Sequence, residues 1–427
     1  MLLIKNVRML NHQGGFQPVE ILIKEQRICA IGIDLLNELS HEELKIFDGQ
    51  GGLITPGLVD LHVHFRQPGF EGKETIQTGT QAAARGGFTQ VCAMPNLNPV
   101  PDNLEDFTDL IKLNQQEACI KVHQYAPISL GITSEEELVN FSALTKAGAV
   151  AFTNDGKGVQ TAGLMLQAMQ IAQQLDRPIV AHTEDNSLLF GGVMHKGKAS
   201  ERLGLPGIFS ATESSQIARD CILAKEADCH YHVCHVSTKE SVAVIRAAKA
   251  EGVRVTCEVC PHHLLLCDED IPQDEGNWKM NPPLRSRFDQ AALIQGLLDG
   301  TIDCIATDHA PHMAEEKNQS MLKAPFGIVG SETAFALLYT YLVERGICSL
   351  QQLIHWMSWA PAKLFNLQSS ALEVGSVADL AIFDINQDFP IDPSEFASKA
   401  SNTPFVGWQV KGRTLATIYQ GHLVYQD

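Results

Sequence analysis

The segment Asp60-Leu61-His62-Val63-His64-Phe65-Arg66 places two histidines one residue apart, directly after the apolar segment 53–59. Successive side chains of a β-strand alternate between its two faces, so His62 and His64 point the same way and can bind one metal ion together. The Pro56-Gly57 pair predicts a turn at the start of this strand and places the histidines near its end. A single His-x-His pair is a weak indication of a metal site, so the prediction depends on ligands from later segments.

The composition is typical of a globular protein with a large core and more than one domain, since 44% of the 427 residues are hydrophobic and 19% are charged. The net charge of −18 argues against nucleic-acid binding, which needs clustered Lys and Arg. No apolar segment approaches the roughly 18 residues that a membrane span requires. The charged segment 1–8 is unlike a signal peptide. We therefore expect no nucleic-acid or membrane partner.

The eleven cysteines predict free thiols and a reducing compartment, the cytoplasm, because their number is odd and the chain is large. Cys257 and Cys260 are spaced like half of a zinc site, with His262, His263 and Cys267 nearby. No second pair occurs at structural-zinc spacing. We interpret these cysteines as buried thiols on a strand.

Both ends of the chain contain short β-rich segments, each end being too small for a core of its own. We predict one composite small β domain from residues 1–53 and 370–427, the alternative being two unrelated β flaps. The predicted strands lie at 2–7, 20–24, 27–33, 378–384, 404–410 and 414–424.

Between these ends, strands and helices alternate. Apolar residues of the segment 161–175 recur at helical spacing. The Ser-x-x-Glu pattern predicts helix starts at Ser134, Ser210 and Ser237. Eight strands across residues 54–369 predict an α/β fold of the TIM (β/α)8 barrel type. A doubly wound sheet is the alternative, but no Gly-x-Gly-x-x-Gly follows the first strand. The predicted strands are 54–65, 88–95, 120–128, 149–153, 178–183, 230–236, 254–259 and 302–307.

Polar residues follow the ends of these predicted strands, where barrel enzymes place their active sites. Four histidines and two aspartates at this rim predict a site for zinc or a similar divalent ion. Two ions, bridged by a carboxylate and a hydroxide, would polarise a carbonyl and lower the pKa of the water. A carboxylate, for which we choose Asp308, would move the proton to a leaving nitrogen, so the pattern indicates hydrolysis of an amide-like bond or its reverse. The rim residues are His62, His64, Arg66, Asn96, Asp155, His182, His235 and Asp308.

The combination of motifs resembles the amidohydrolase superfamily and, within it, the bacterial type I dihydroorotases. The resemblance covers nearly the whole chain. Its motifs are PGLVDLHVHFRQPG (56–69), KET (73–75), AMPN (93–96), GVQT (158–161), AHTED (181–185), HVCHVS (232–237), PHHL (261–264), KMNPPLR (279–285), DHAPH (308–312) and GSVADL (375–380).

The resemblance implies reversible cyclisation of N-carbamoyl-L-aspartate to L-dihydroorotate in pyrimidine (UMP) biosynthesis. It implies one or two Zn²⁺ ions, with His62, His64 and Asp308 on the first, His182 and His235 on the second, and Asp155 bridging. Asp308 is the implied general acid and base. Arg66 and Asn96 would hold the substrate carboxylate, and the remaining contacts would surround the ring. The implied substrate-binding residues are His64, Arg66, Asn96, Asn281, His312, Phe326 and Gly327.

Two residues depart from the type I pattern without removing a ligand. Asn154 stands beside the bridging Asp155 where relatives often have a second aspartate, so it could change the charge at the second ion. Cys260 stands where a threonine is common. Lys157 does not match the position of the carboxylated lysine of other amidohydrolases.

We also predict that the polar loop 310–327 is a lid that orders over bound substrate.

Two alternatives stay open at this point. An allantoinase or a dihydropyrimidinase would share the fold and the metal ligands, although Arg66 with Asn96 favours a ring that carries a carboxylate. A non-catalytic scaffold for a transcarbamoylase would be expected to have lost ligands. We expect a small-molecule substrate and a homo-oligomer, and association with aspartate transcarbamoylase stays open.

Overall fold

The structure is a computed structural model, which describes residues 1–11, 13–38 and 44–427. No helix in these ranges is long and apolar enough to cross a membrane. Its strands are β1 (Leu2–Leu10), β2 (Phe16–Lys24), β3 (Arg27–Gly32), β4 (Lys45–Pro56), β5 (Leu58–Val63), β6 (Phe88–Ala93), β7 (Lys121–Gln124), β8 (Ile179–Ala181), β9 (Met194–His195), β10 (Gly207–Ile208), β11 (Tyr231–Val233), β12 (Val255–Val259), β13 (Cys304–Ile305), β14 (Leu380–Asp384), β15 (Phe389–Pro390), β16 (Gln409–Val410), β17 (Arg413–Tyr419) and β18 (His422–Gln426).

The helices lie mostly between the strands of the central region. Residues Tyr339–Val343 and His355–Trp359 form π-helical turns that continue two of them. The helices are α1 (Ile76–Arg85), α2 (Leu104–Glu117), α3 (Phe141–Ala147), α4 (Ala162–Gln174), α5 (Lys198–Leu203), α6 (Ala211–Ala227), α7 (Lys239–Ala250), α8 (Pro261–Leu265), α9 (Arg287–Leu298), α10 (Ala314–Lys317), α11 (Ala334–Leu338), α12 (Leu350–Ile354) and α13 (Ala360–Leu364).

Both ends of the chain contribute to one seven-stranded sheet, in the order β18-β17-β14-β4-β1-β2-β3. Strand β4 joins the two contributions, because it pairs with β1 on one side and with β14 on the other. The alternation of side chains buries one set of apolar residues, including Ile4, Ile21, Ile54 and Ile382, in a core of this sheet. The prediction that the two chain ends form a shared β layer is therefore confirmed.

The central strands close into a barrel. Parallel pairs join β5, β6 and β7, and a second parallel group runs β8-β11-β12-β13. Bridges from Phe152 to Ala126 and to Ile179 connect the two groups, and a bridge from Val63 to His309 closes the ring. The TIM-barrel prediction is confirmed, although the fourth strand is reduced to its bridges at Phe152.

The predicted first barrel strand, 54–65, is wrong in extent. Strand β4 continues to Pro56 and pairs there with Leu380 of the composite sheet, whereas the barrel strand β5 begins at Leu58. Gly57 separates them, and a Cβ at this position would lie only 2.2 Å from Thr89 Oγ1. The predicted domain limits of 1–53 and 370–427 around a barrel of 54–369 stay a prediction.

The helix-start predictions had mixed outcomes. Thr161 caps α4 as its spacing suggests, since its side chain accepts from Leu164 N–H. Helix α7 is capped by Thr238 instead of Ser237. Ser210 is the N-cap residue of α6, so this predicted helix start is confirmed, although its side chain makes no capping bond. The predicted helix start at Ser134 is wrong, since the next helix, α3, begins at Phe141. Glu213 does not complete a capping box with Ser210, because it accepts hydrogen bonds from Ser237 N–H and the Ser237 hydroxyl.

All eleven cysteines are free thiols, as predicted, and only Cys29 is exposed. Burial raises the pKa values of Cys257 and Cys260 well above the usual range, so both are inert thiols at neutral pH.

Candidate metal centre

The six predicted ligands converge at one end of the barrel, and all six are buried. Each lies where a strand ends or in the turn that follows it, because the carboxyl ends of parallel strands meet at the same rim. The six are His62, His64, Asp155, His182, His235 and Asp308.

His62, His64 and Asp308 form one half of this cluster together with Asp155. The Nε2 atom of His62 lies 3.3 Å from Asp308 Oδ1 and 3.4 Å from Asp155 Oδ1. The Nε2 atom of His64 lies 3.2 Å from Asp308 Oδ1 and 3.5 Å from Asp155 Oδ2. Five nitrogen and oxygen atoms from four side chains, all of the kind that bind zinc, thus face one small volume.

His182 and His235 form the other half. His182 Nδ1 lies 3.0 Å from His235 Nε2, and each of these atoms lies 3.9 Å from Asp155 Oδ1. The carboxylate of Asp155 therefore belongs to both halves of the cluster, so its two oxygens could serve two ions.

The donor set fits divalent metal ions. His62 Nε2 and Asp155 Oδ1 are buried and have no hydrogen-bond partner. Such atoms are costly to bury unless something binds them, and imidazole and carboxylate groups pointing at a common volume are the usual ligands of zinc. The groups His62–His64–Asp155 and Asp155–His182–His235 are each compact enough to hold an ion.

The electrostatics keep the aspartates ionised. Burial raises the pKa of Asp308, but the neighbouring His62 and His64 outweigh it and hold that pKa below its usual range. Burial likewise opposes ionisation of Asp155, and His62 and His235 reverse the effect. Two buried carboxylates facing several imidazoles are thus prepared to bind cations.

The backbone is strained at three residues of this rim. Arg66, His235 and Asp308 have φ values of 62°, 31° and 50°, a left-handed region that non-glycine residues rarely adopt. Such conformations concentrate at functional sites, where the surrounding structure holds side chains in a required direction. Here they turn the Arg66 and Asp308 side chains towards the same rim.

Arg66 and Asn96, the predicted carboxylate-binding pair, lie beside the ligands. Arg66 Nε donates to the carbonyl of Pro311 at 3.3 Å, and burial lowers the pKa of its guanidinium to about 10. Asn96 Oδ1 lies 2.9 Å from His64 Nδ1, so it accepts the proton of that ring and leaves Nε2 free for metal. Asn96 Nδ2 faces Asp155 at 3.4 Å.

The predicted ring contacts also reach this rim. His312 Nε2 donates to the carbonyl of Phe326 at 2.8 Å, and Lys73 Nζ lies 3.3 Å from its Nδ1. Burial together with Arg66 and Lys73 lowers the pKa of His312 to about 2, so the ring is neutral. At Gly327, where φ is 130°, a Cβ would lie 2.7 Å from that of Ala310.

The loop 310–327 contains the short helix α10 and an interior anchor. Lys317 is 1% exposed, and its Nζ donates to the carbonyls of Lys279, Pro325 and Gly327 at 3.0, 3.0 and 2.7 Å. All three ammonium protons therefore have acceptors. The anchor holds Phe326 and Gly327 against the rim, and movement of this loop as a lid stays a prediction.

Sequence reasoning missed two buried acids. Glu184 Oε2 accepts from Asn281 Nδ2 at 2.6 Å and lies 3.8 Å from His182 Nε2. Glu258 lies 3.0 Å from His62 Nδ1, and hydrogen bonds from His232 and His62 lower its pKa to about 2 against the effect of burial. A charged residue within the apolar strand β12 was the available signal.

Asn154 is held by hydrogen bonds beside Asp155, and its expected effect on the charge at the second ion stays a prediction. Its Oδ1 accepts from the backbone N–H groups of Ile128 and Ser129 at 2.9 and 3.2 Å, and its Nδ2 donates to the Ser129 hydroxyl. The amide therefore supports the neighbouring strand end. Lys157 is exposed.

Comparison with known proteins agrees with this geometry. Residues 51–241 match the family model described as dihydro-orotase-like. A protein of Enterococcus faecalis named dihydroorotase is 60% identical over 425 residues, which cover 100% of this chain and 99% of that protein. One of Staphylococcus epidermidis, also named dihydroorotase, is 55% identical over 427 residues and 100% of both chains.

Solved structures of related enzymes have the same fold. The L-hydantoinase (dihydropyrimidinase) of Arthrobacter aurescens superimposes with a TM-score of 0.86 at 27% identity, over 100% of this chain and 96% of that chain. The D-hydantoinase (dihydropyrimidinase) of Thermus sp. gives a TM-score of 0.85 at 26% identity, over 100% and 96%.

Proposed function

The chain belongs to the dihydroorotase family of the amidohydrolase superfamily, and from this premise we propose that the barrel rim interconverts N-carbamoyl-L-aspartate and L-dihydroorotate plus water. This is a cyclic-amidohydrolase reaction of pyrimidine biosynthesis. The observation that carries the proposal is the full-length identity of 53–60% to proteins named dihydroorotase. The six buried ligands at the rim support it independently.

We infer that zinc occupies the cluster. His62, His64 and Asp308 would hold one ion, His182 and His235 a second, and Asp155 both. A bound divalent ion would lower the pKa of a water molecule and polarise an amide carbonyl. The proposed ligands are all imidazole nitrogens and carboxylate oxygens, which supports zinc over softer ions that favour thiolates.

Asp308 is the proposed general acid and base. In ring opening, its carboxylate takes a proton from the water that attacks the ring amide carbonyl, and delivers it to the ring nitrogen as the C–N bond breaks. In cyclisation it takes the proton from the attacking nitrogen and delivers it to the departing hydroxide, which leaves as water. The pKa of Asp308, held low by His62 and His64, supports the ionised form that ring opening requires.

Arg66 and Asn96 are the proposed partners of the carboxylate that the ring carries. The planar guanidinium of Arg66 can form two parallel hydrogen bonds to a carboxylate. Asn281, neutral His312 and the backbone at Phe326 and Gly327 would surround the ring. Their contacts with Glu184, Lys73 and Lys317 support a site that is formed before substrate binds.

A related cyclic amidohydrolase activity is the competing candidate, since the solved structures that superimpose are hydantoinases. Purified protein should open dihydroorotate, followed by ultraviolet absorbance, in a chelator-sensitive manner, and should leave dihydrouracil and allantoin intact. Turnover of dihydrouracil or allantoin instead would assign the competing activity. Absence of all three activities in metal-loaded protein would favour a scaffold role.

We also propose that the protein is a homo-oligomer, which sedimentation would measure. The same experiment, with aspartate transcarbamoylase added, would test whether the two proteins associate. The eleven free thiols support a reducing compartment, for which we propose the cytoplasm.

A further inference from the structure

The barrel interior contains polar side chains on strands β11 and β12. Tyr231 and Val233 of β11, like Val255 and Val259 of β12, belong to the core that also contains residues of α6 and α7. Because side chains alternate along a strand, the residues between them face the other way, into the barrel. The polar residues on this inner face are His232, Thr256 and Glu258, together with His230, which directly precedes β11.

These four side chains form one hydrogen-bonded chain that starts at His62. Glu258 Oε1 lies 3.0 Å from His62 Nδ1, and its Oε2 lies 3.2 Å from His232 Nε2. His232 Nδ1 lies 2.8 Å from Thr256 Oγ1, which lies 2.8 Å from His230 Nε2. The chain thus runs from a proposed metal ligand through the barrel towards its other end.

The carboxylate at the start of the chain sets the direction of every hydrogen bond. An ionised carboxylate only accepts, so both His62 Nδ1 and His232 Nε2 carry a proton and donate to Glu258. His232 Nδ1 then has a lone pair and accepts from the Thr256 hydroxyl. The oxygen of Thr256 in turn accepts from His230 Nε2–H. When the imidazoles are neutral, every donor in the chain therefore has an acceptor.

We propose that Glu258 is a positioning residue that holds His62 in the tautomer with its Nε2 lone pair directed at the metal, and that the chain through His232 to His230 keeps Glu258 in place. His62 Nε2 is the atom that faces Asp155 and Asp308 and has no other partner. The inference rests on the proposed metal centre. It adds a residue that touches neither metal nor substrate.

Glutamine at position 258 would break this pattern without changing the size of the side chain. Its amide has one acceptor and one donor group, whereas the two imidazoles both need an acceptor. One ring must then change its tautomer or lose its partner. If His62 changes, Nε2 carries a proton and cannot bind metal. Carboxylates that hold metal-binding histidines typically contribute about 10–100-fold to metal affinity.

The test compares Glu258→Gln with a matched control. Asp220 is also 0% exposed, and its carboxylate accepts from Arg219 and the Tyr231 hydroxyl without touching a proposed ligand. Asp220→Asn therefore reproduces the loss of a buried charge away from the metal centre. Zn²⁺ affinity is measured for wild type and both variants by competition with a chromogenic chelator, and Co²⁺-loaded samples are compared by absorption spectroscopy.

We expect Glu258→Gln to weaken Zn²⁺ binding by about 10–100-fold and to change the Co²⁺ spectrum. Asp220→Asn should leave both unchanged, whatever it does to thermal stability. Glu258→Asp, which keeps an acceptor-only group, should restore part of the affinity. If Glu258→Gln does not fold, Thr256→Val tests the chain two hydrogen bonds beyond Glu258, with an expected several-fold loss of Zn²⁺ affinity.

The inference would be overturned if the wild-type protein binds Zn²⁺ and Glu258→Gln binds it with equal affinity. If only Thr256→Val folds, equal affinity in that variant has the same meaning. Either result would leave the proposed function unaffected. A wild-type protein that binds no divalent ion at His62 would overturn the proposed metal centre, and this inference with it.

Discussion

Arg66 is the residue through which substrate choice can be tested, because its guanidinium lies beside the proposed ligands and is the group best suited to a carboxylate. Replacing it by methionine would remove the proposed charge-assisted contact with the carboxylate of dihydroorotate. We expect Arg66→Met to raise KM for dihydroorotate by about 10–100-fold while metal content stays unchanged. Arg66→Lys should recover only part, since a lysine cannot form the paired hydrogen bonds. Steady-state kinetics with metal analysis gives both quantities, and an unchanged KM in Arg66→Met would remove Arg66 from the substrate site.

Asp308 can be separated from neighbouring acids by its effect on turnover. Asp308→Asn removes the proposed proton carrier, and we expect kcat to fall by about 10²–10⁴-fold. Asp303 precedes it on the same segment but pairs with Lys249 at 2.6 Å, outside the cluster. Asp303→Asn is therefore the control and should retain activity. Metal analysis of both proteins distinguishes lost proton transfer from lost metal, and near-normal kcat in Asp308→Asn would refute the assignment.

His195 gives the molecule a stability that depends on pH. Burial and the adjacent Arg285, whose Nη1 lies 3.4 Å from the ring, lower the pKa of His195 from 6.5 to about 4. Between pH 6.5 and about pH 4, the His195 imidazole is therefore protonated in the unfolded chain and neutral in the folded protein. The free energy of unfolding should fall by about 1–3 kcal/mol as the pH drops from 6.5 to 4.

Denaturant titrations at pH 7.5 and pH 4.5 measure this loss, and the variant His195→Gln is the comparison because it cannot take up a proton. The difference in stability between the two pH values should be smaller in the variant. Equal differences in both proteins would mean that His195 is protonated normally in the folded state.

Among the elements, the loop 310–327 depends on the interior anchor Lys317. Lys317→Met keeps the length of the side chain but removes one donor from each of three carbonyls. Those of Lys279 and Gly327 keep a second donor, Gly327 N–H and Asn402 Nδ2, whereas the half-buried carbonyl of Pro325 loses its donor. We expect the free energy of unfolding to fall by about 1–3 kcal/mol and the loop to become more sensitive to proteolysis. Lys323→Met, on the exposed side of the same loop, is the matched control. Thermal melting and timed proteolysis check both, and equal behaviour of the two variants would contradict the anchor role.

The elements also show what local sequence can and cannot predict. The helix at Thr161 was predictable because its capping bond and its apolar spacing lie within the helix itself. At Ser210 the predicted helix start is correct but the capping box does not form, because Glu213 accepts from Ser237 at the next strand end. The split at Gly57 was predicted only in part: Pro56-Gly57 indicated a turn, but the pairing of Pro56 with the distant Leu380 of β14 could not be read from the local sequence. Local patterns predict elements until a distant residue competes for the same group.

At the scale of the molecule, the barrel and the cluster were predictable because parallel strands must end at one rim. His62, His182, His235 and Asp308 could therefore be grouped although they are far apart in the chain. Glu258 could not, because its role depends on which residue of β5 lies opposite β12 inside the barrel, a register that no local pattern encodes. The sequence therefore predicted the residues that could bind a metal, but not Glu258, the residue proposed to orient one of them.

Strand β4 is held between β1, which precedes it closely, and β14, which follows the entire barrel. A chain leaving the ribosome exposes one edge of β4 until residues 380–384 have been made. An unpaired edge readily adds strands from other chains, so β4 is open to such pairing while the long barrel segment is being made. The order of synthesis thus imposes an order of assembly, with the composite sheet completed last, and a nascent chain stalled within the barrel is the species that should aggregate or bind chaperones.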